Sequence, residues 1–216
     1  MAKTNPGNFF EDFEVGSELL HAVPRTITEG EAATYIGLTG SRYPLHCSSE
    51  FARSLGHPRE TINDMLVFHI VFGKTVNDVS LNAVANLGYA GVRFLAPVYP
   101  GDTLRTVSKV LGKKENSNGK TGVVWVKSVG TNQRGETVLE FYRWVMVHKR
   151  DPATPTGAAD RPETPKAVAP ADLVVPSNLD LSGYEDWPAG GHAYFEDYEV
   201  GEKIDHVDGM TIEESE

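Results

Sequence analysis

The residues best suited to acid–base chemistry lie in the segment YIGLTGSRYPLHCSSEFA, residues 35–52. An imidazole such as that of His46 has a pKa near ~6.5 and can take or give a proton at neutral pH. Cys47, the only cysteine of the chain, is adjacent to it. Neighbouring side chains do not face each other on a helix or a strand, so we predict that Cys47 is a small core residue and not a thiol nucleophile.

Two other histidine positions need an interpretation. His69 lies in the apolar run DMLVFHIVFGKTV. A buried neutral histidine bonded to a backbone carbonyl is the simplest reading there, and a place in a ligand site is the alternative. His21 recurs as His206 in a repeated segment, which indicates a structural role at a strand end.

The segments around these residues predict one α+β unit over residues 1–150. The run LLHAVPRTI, interrupted by Pro24, is typical of an edge strand. Thr28 and Glu31 have the spacing of a capping box that starts a short helix. The run SSEFARSLG predicts a second short helix that ends at Gly56.

A long helix and a sheet are predicted next. In DMLVFHIVFGKTVNDV apolar residues cover every face of a helix, so we expect burial on all sides. Segments rich in strand formers follow at VRFLA, DTLRTVSKVLGKK, TGVVWVKSVGT and ETVLEFYRWVMVHK. The last has large apolar residues in both alternating sets, as in a central strand. These patterns predict a strongly curved antiparallel sheet wrapped around one long buried helix.

Charge and composition exclude several classes of function. The chain has 20 basic and 30 acidic residues, a net charge of −10, which makes nucleic acid and anionic membranes poor partners. The longest uncharged run, residues 79–92, is too short to span a bilayer. One cysteine excludes an intramolecular disulfide and a CxxC metal site. Together with the acidic, non-apolar N-terminus, it predicts a cytoplasmic protein.

The C-terminal part differs from the rest and contains a repeat. Residues 151–192 hold seven of the 13 prolines and read as an extended linker. Residues 195–216 repeat residues 10–31 at a constant offset of 185, with 11 of 22 positions identical. We therefore predict that residues 193–216 start a second, truncated copy of the unit. Because that start has no remaining unit to join, residues 151–216 are expected to be poorly ordered or to borrow a sheet edge.

Two motifs resemble the MaoC-like family of R-specific enoyl-CoA hydratases. The family motif G-D-x-N-P-[LIV]-H is matched by Gly40, Pro44, Leu45 and His46. Ser41 stands at its Asp position and Tyr43 at its Asn position. The run VRFLAPVYPGDTL resembles a second motif, F-x-x-P-V-x-x-G-D-x-L. Further segments over residues 2–152 resemble a two-unit branch of the family that acts on branched or dicarboxylic enoyl-CoA thioesters.

The resemblance implies the hot-dog fold, here the first unit of a double hot-dog, and reversible addition of water to a 2-enoyl-CoA. A carboxylate and an imidazole hold the water, and the CoA thioester is the substrate with no cofactor and no metal. Backbone N–H groups at the start of the long helix, near Asn63, Asp64 and Met65, would stabilise charge on the thioester oxygen.

The serine at position 41 leaves the role of His46 open, because a hydroxyl is not a base. His46 is either a surviving acid–base group or a polar remnant that lines a substrate tunnel, and the loss of the Asp favours the second. In two-unit members the catalytic pair lies in the second unit. Arg42 could pair with a free carboxylate of the acyl group. Lys149 and Arg150, near three further lysines, could meet the CoA phosphates or form a solvated strand end.

Three functions remain open on the sequence alone. They are an acyl-CoA hydratase, a hot-dog unit that binds acyl-CoA without chemistry, and a hot-dog thioesterase, which would need Glu60 or Asp64 at the thioester. Fold alone does not choose among them. Because hot-dog units usually pair through their sheets, a homodimer is expected, with acyl-CoA as the small-molecule partner.

Overall fold

The computed structural model describes residues 5–154, 156, 161–167, 169–173, 180, 182, 193–206, 211 and 214. The strands are β1 (Glu18–Thr26), β2 (Ala83–Phe94), β3 (Thr103–Glu115), β4 (Thr121–Thr131) and β5 (Thr137–His148). The helices are α1 (Glu29–Thr39), α2 (Pro44–Cys47), α3 (Ser49–Ser54) and α4 (Asp64–Thr75). Single helical turns lie at Phe10–Asp12, Val76–Ser80, Pro170–Asp172 and Phe195–Asp197.

The five strands form one antiparallel sheet in the order β1-β3-β4-β5-β2. The predicted strands that became β3, β4 and β5 are confirmed to within a residue or two. β1 is an edge strand, as Pro24 indicated, and its pairing shifts register between His21 and Arg25. Alternate residues of β5 from Leu139 to Val147 are fully buried on the face that meets α4. This is the α+β hot-dog arrangement that the sequence predicted.

β2 is the strand that the sequence located poorly. The prediction placed it at VRFLA, residues 92–96, whereas the strand begins at Ala83. Its first part, AVANLGYAG, consists largely of small residues, and its pairing with β5 shifts register three times. At Gly88 an added Cβ would overlap the ring of Trp144 on the paired strand β5. The missing side chain therefore leaves room for that ring.

α4 is buried on one face only. Val67, Ile70, Val71 and Thr75, spaced as one helical stripe, are all buried. Gly130 of β4 leaves the space that Val71 occupies, since a Cβ there would lie 2.7 Å from a Val71 methyl carbon. The opposite face leaves Met65 exposed, together with His69 and Gly73. The prediction of burial on all sides is therefore wrong for the described unit.

A second apolar cluster closes the other end of the sheet. The turn Phe10–Asp12 places the ring of Phe10 directly on Gly122 of β4, where a Cβ would clash with it. Phe10 and Phe13 are fully buried, and they pack with Val79, Val110 and Val145. Phe10 and Phe13 are thus part of the core of the unit.

The start of the repeated segment has the same local conformation as its first copy. The Asp197 carboxylate accepts from the Tyr194 N–H at 2.8 Å, as the Asp12 carboxylate accepts from the Phe9 N–H at 2.9 Å. Gly201 and Gly16 both follow with positive φ, 89° and 91°. Within the described residues 193–206 there is no strand.

Described residues of the linker contact the unit. The Thr156 hydroxyl donates to Glu115, and Arg93 of β2 donates to the Asp172 carbonyl at 2.9 Å. The disorder or edge pairing predicted for residues 151–216 concerns many residues that lie outside the described ranges. The boundaries at residues 150 and 192 stay predictions.

Candidate functional site

A cavity of about 370 Å³ opens at the start of α4. Its lining side chains come from α2, from the chain before α4 and from the stretch that follows β2. They are Tyr43, Leu45, His46, His57, Thr61, Asp64, Phe94, Leu95, Ala96 and Pro97. Backbone hydrogen bonds fix this arrangement, since Thr61 N donates to Leu45 O at 2.9 Å and Ile62 N to Val98 O at 2.7 Å. The P-L-H motif and the start of α4 therefore meet.

Asn63 determines the state of His46. Its Oδ1 caps α4 by accepting from the Met65 N–H at 2.9 Å. The amide nitrogen Nδ2 then points to His46, 3.3 Å from Nδ1, and lies 3.5 Å from the Ser41 hydroxyl. Because an amide nitrogen only donates, His46 Nδ1 must accept, and the ring proton of a neutral His46 sits on Nε2.

This arrangement makes His46 a poor base. Burial lowers its pKa, so the ring is neutral at pH 7. Asn63 donates to the lone pair of His46 Nδ1, the ring nitrogen that could accept a proton. Nε2 already carries a proton. Among the described residues no carboxylate is hydrogen-bonded to His46, and Ser41 supplies only a hydroxyl.

The predicted oxyanion site at the helix start is partly used by the protein itself. The Met65 N–H is taken by Asn63, as described above. Asp64 places a carboxylate at the same helix start and at the cavity lining, where desolvation by the surrounding protein raises its pKa. A carboxylate beside the remaining N–H groups competes with any anionic oxygen that a ligand would place there.

One lining residue, His57, was missed by the sequence analysis. His57 is buried, and its Nδ1 lies 2.8 Å from the Tyr99 hydroxyl, while burial lowers its pKa. Tyr99 is held in turn by Asp102, whose carboxylate accepts from the Tyr99 N–H and from Gln133 and Arg134. The G-D of the second motif thus fixes the loop that shapes the cavity. His57 lies in no motif that could have found it.

A chain of polar side chains also crosses the buried face of the sheet. Asp78 lies 2.7 Å from His21 Nδ1, Ser108 lies 2.7 Å from His21 Nε2, and Ser128 lies 2.7 Å from Ser108. Burial lowers the pKa of His21, and the nearby Asp78 opposes that shift in part. A neutral ring then donates from Nδ1 to Asp78 and accepts at Nε2 from Ser108. Ser108 is fully buried, so this network of polar side chains is structural, but His21 lies within β1 and not at the strand end that the sequence predicted.

Several predicted site residues lie elsewhere. His69 is exposed, not buried, and its ring meets that of Tyr35 edge-on at 5.9 Å between centroids. It lines a separate depression between α4 and β1. Cys47 is exposed, so its prediction as a core residue is wrong; its Sγ lies 3.2 Å from the Tyr43 carbonyl. Arg42 is exposed outside the cavity, whereas its neighbour Tyr43 is exposed and lines it.

The two basic residues expected at the CoA phosphates are engaged within the chain. Lys149 is buried and pairs with Glu115 at 2.6 Å, and Arg150 pairs with Asp12 at 2.5 Å. They follow the end of β5, whereas the cavity lies beside its start. Neither presents an uncompensated charge to a phosphate.

The sheet around α4 and the cavity at the helix start define a unit of the hot-dog class. The model of the MaoC like domain matches residues 12–132, and the chain belongs to this family.

Similar proteins share the whole length of the chain. It is 60% identical to beta-methylmalyl-CoA dehydratase of Chloroflexus aurantiacus over 215 residues and 56% identical to mesaconyl-CoA hydratase of Cereibacter sphaeroides over 214. These alignments cover 100% and 99% of the chain but 61% and 62% of the relatives, so the chain spans less than two thirds of their length.

Solved structures agree with this placement. A MaoC domain protein dehydratase from Chloroflexus aurantiacus superposes with a TM-score of 0.92 at 60% identity, over 100% of this chain and 61% of that one. A Mycobacterium tuberculosis protein described as a double hotdog fold superposes with a TM-score of 0.70 at 29% identity, over 81% of this chain and 55% of that one.

The described residues contain neither a helix suited to span a membrane nor a group of side chains suited to hold a metal ion. Within the described ranges no helix is both long and apolar enough to cross a membrane. In the same part of the chain, no three His, Cys, Asp or Glu side chains cluster as metal ligands would.

Proposed function

We propose that the protein acts in the reversible hydration of a 2-enoyl-CoA, mesaconyl-CoA to β-methylmalyl-CoA, and hence as a hydro-lyase. The observation that carries this proposal is the identity of 60% and 56%, spread over the whole chain, to two proteins named for the two directions of that reaction. Their names supply the substrate, a CoA thioester, and we add no cofactor. A cytoplasmic location, suggested by the single cysteine, belongs to the same proposal.

The geometry at His46 supports a specific division of labour. Hydration needs one group that takes a proton from water and another that gives a proton to the α-carbon. His46 offers only an Nε2–H, and Ser41 is no base. We therefore favour the second candidate of the sequence analysis for residues 1–150, a hot-dog unit that holds the acyl-CoA and leaves proton transfer to another unit. The cavity that Tyr43, His46 and Asp64 line is the binding site of this proposal.

A thioesterase is the third candidate, and only Asp64 supports it. Glu60 is engaged by the Ser49 hydroxyl at 2.5 Å and by Arg59 at 2.6 Å. Asp64 lines the cavity with a raised pKa, which is the environment of a carboxyl group that exchanges protons. Release of free CoA thiol from mesaconyl-CoA, lost in Asp64→Asn, would support this candidate.

One assay separates these roles. Hydration of mesaconyl-CoA is measured by its loss of enoyl absorbance, with this chain and with the chain extended by the remaining C-terminal part of the Chloroflexus relative. We expect activity in the extended protein only, and a fall of less than about tenfold in kcat when His46 is changed to Ala, because a binding contact is lost and not a proton transfer. His69→Ala, on the other side of α4, is the matched control.

The opposite result is equally clear. Hydration by the present chain alone, reduced about 10²- to 10⁴-fold in His46→Ala, would restore His46 as the catalytic group and contradict the binding role.

We also propose that the chain forms a homodimer through the edge strand β2. Exposed apolar side chains lie along this strand at Val84, Leu87 and Val92, and an open strand edge beside them offers unpaired backbone groups. Analytical ultracentrifugation is expected to give twice the chain mass, and Leu87→Lys to give the monomer. Leu38→Lys on α1 changes an equally exposed leucine and is expected to stay dimeric; a wild-type monomer at all concentrations would contradict the proposal.

A further inference from the structure

Arg143 is a charged side chain in the interior that the site at His46 does not use. It lies on the helix-facing side of β5, between Phe141 and Val145, and is fully buried. Its three guanidinium nitrogens make no hydrogen bond of good geometry within the part of the chain that the structure describes, although the Tyr89 side chain interacts with the guanidinium. Burying a charge without such a partner is costly, and an apolar side chain of similar volume would fill the position at lower cost. A purely structural role therefore explains this residue poorly.

The surroundings of Arg143 are aromatic. The guanidinium carbon lies 4.6 Å from the centroid of the Phe72 ring, in the geometry of a cation–π contact. Phe68 stacks on Phe72 at 5.7 Å, and Tyr89 meets both rings edge-on. Burial lowers the pKa of Arg143 to about 10, a shift that interaction with Tyr89 opposes, so the side chain is charged at neutral pH.

Only one layer of side chains separates this charge from the open face of α4 and β2. Tyr89 is the residue of β2 that pairs with Arg143, and it is 38% exposed. Phe68 and Phe72 of α4 are half-buried beside it. The acyl group of a ligand would contact the guanidinium if the Tyr89 ring moved aside.

The side chains around Arg143 favour one class of ligand. A guanidinium binds a carboxylate through two parallel hydrogen bonds, more strongly than it binds neutral groups. The aromatic rings around it favour a short, methyl-bearing carbon chain over a hydrated one. Mesaconyl-CoA has this combination, a branched four-carbon chain that ends in a free carboxylate.

We propose that Arg143, assisted by the Tyr89 hydroxyl, binds the free carboxylate of a dicarboxylic acyl-CoA and so determines the preference for such substrates. This inference rests on the proposed function, because it presupposes an acyl-CoA ligand. Arg143 is a specificity residue in this scheme and takes no part in proton transfer.

A matched pair of ligands tests the proposal on the present chain by isothermal titration calorimetry. One is the mesaconyl-CoA isomer whose thioester is next to the methyl-bearing carbon. The other is 2-methylcrotonyl-CoA, in which a methyl group replaces the carboxylate. We expect the wild type to bind the first about tenfold to a hundredfold more tightly, the usual effect of a hydrogen-bonded charge pair. Arg143→Met should abolish this preference and leave the Kd of 2-methylcrotonyl-CoA unchanged.

Two milder variants keep the test decisive if Arg143→Met folds poorly. Tyr89→Phe removes only the hydroxyl and should reduce the preference; Tyr142→Phe, the next residue of β5 on the outer face, should not. Arg143→Lys keeps the charge without the planar fork and should retain a weaker preference. Thermal unfolding of Arg143→Met at the same or a higher Tm would support the view that the charge is kept for binding.

The outcomes distinguish the two proposals. Binding of both esters with equal Kd, or a preference that survives in Arg143→Met, overturns the role of Arg143 and leaves the proposed function standing. Binding of neither ester overturns both. A Tm that falls by more than about 8 °C in both Arg143→Met and Arg143→Lys, with the preference intact in Tyr89→Phe, assigns Arg143 to the fold and also overturns the proposal.

Discussion

Replacing Phe10 by alanine is expected to lower the free energy of unfolding by about 3–5 kcal/mol. The ring is fully buried, lies on Gly122 and joins a cluster with Phe13 and Val79. Removing the ring leaves a cavity, because β4 at Gly122 is held between two paired strands and cannot move to fill the space. Urea unfolding followed by tryptophan fluorescence measures the loss as a shift of the midpoint at constant slope.

The repeat supplies a matched control for this variant. Phe195 has the same sequence context as Phe10 and the same local turn, but it is 90% exposed. Phe195→Ala is therefore expected to change the free energy of unfolding by less than about 0.5 kcal/mol. Equal losses in the two variants would show that Phe195 is buried in solution, and would contradict the difference that the structure draws between the two copies.

The comparison of the two copies also separates what local sequence encodes from what the rest of the chain adds. In both, an aspartate three residues on accepts from the backbone N–H that precedes the turn, and a glycine with positive φ follows. These interactions span few residues, so they form wherever the sequence occurs. Burial differs because Gly122 and its neighbours, which receive Phe10, come from distant strands.

The same distinction explains which strands could be predicted. β3, β4 and β5 are continuous segments rich in strand-forming residues, which is a local signal. β2 lacks that signal, because small residues occur in both of its alternating sets, and the reason for Gly88, the ring of Trp144 beside it, is visible only in the fold. The exposure of one face of α4 could not be predicted either. Its half-buried Phe68 and Phe72 are covered in part by Tyr89 of β2, the strand that was placed nine residues too late.

At the candidate site, the sequence identified the motif residues but not the contacts that determine their state. Ser41 and His46 stand at recognisable motif positions. Asn63 does not, and its orientation depends on capping α4, so its effect on the His46 tautomer emerges only from the fold. Arg143 was missed for a similar reason. One charged residue in an apolar strand predicts an outward-facing side chain, and only the position of β5 in the sheet shows that Arg143 lies on the buried face.

Replacing His21 by leucine is expected to cost about 2–3 kcal/mol of unfolding free energy. The substitution removes the partner of Asp78 and of the fully buried Ser108, and each buried polar group left unsatisfied costs about 1–3 kcal/mol. Asp78 is partly exposed and recovers water, so the loss stays below the sum of two such penalties. Urea unfolding at pH 7.5 gives the value, and His206→Leu, on the exposed counterpart in the repeat, should match the wild type.

The pH dependence of the same variants provides the sharper measurement. Because burial depresses the pKa of His21, the native state stays neutral where the unfolded chain, with a pKa near ~6.5, binds a proton. Stability contributed by the neutral ring is complete above pH ~6.5 and falls as the pH drops toward the native pKa. Wild type should therefore lose stability from pH 6.5 to 5, and His21→Leu should lose less, since His46 and His57 are then the remaining histidines whose lowered pKa contributes in the same direction. Parallel pH profiles for wild type and His21→Leu would show that the pKa of His21 is the same in the native and unfolded states, which would contradict a buried, neutral His21 between Asp78 and Ser108.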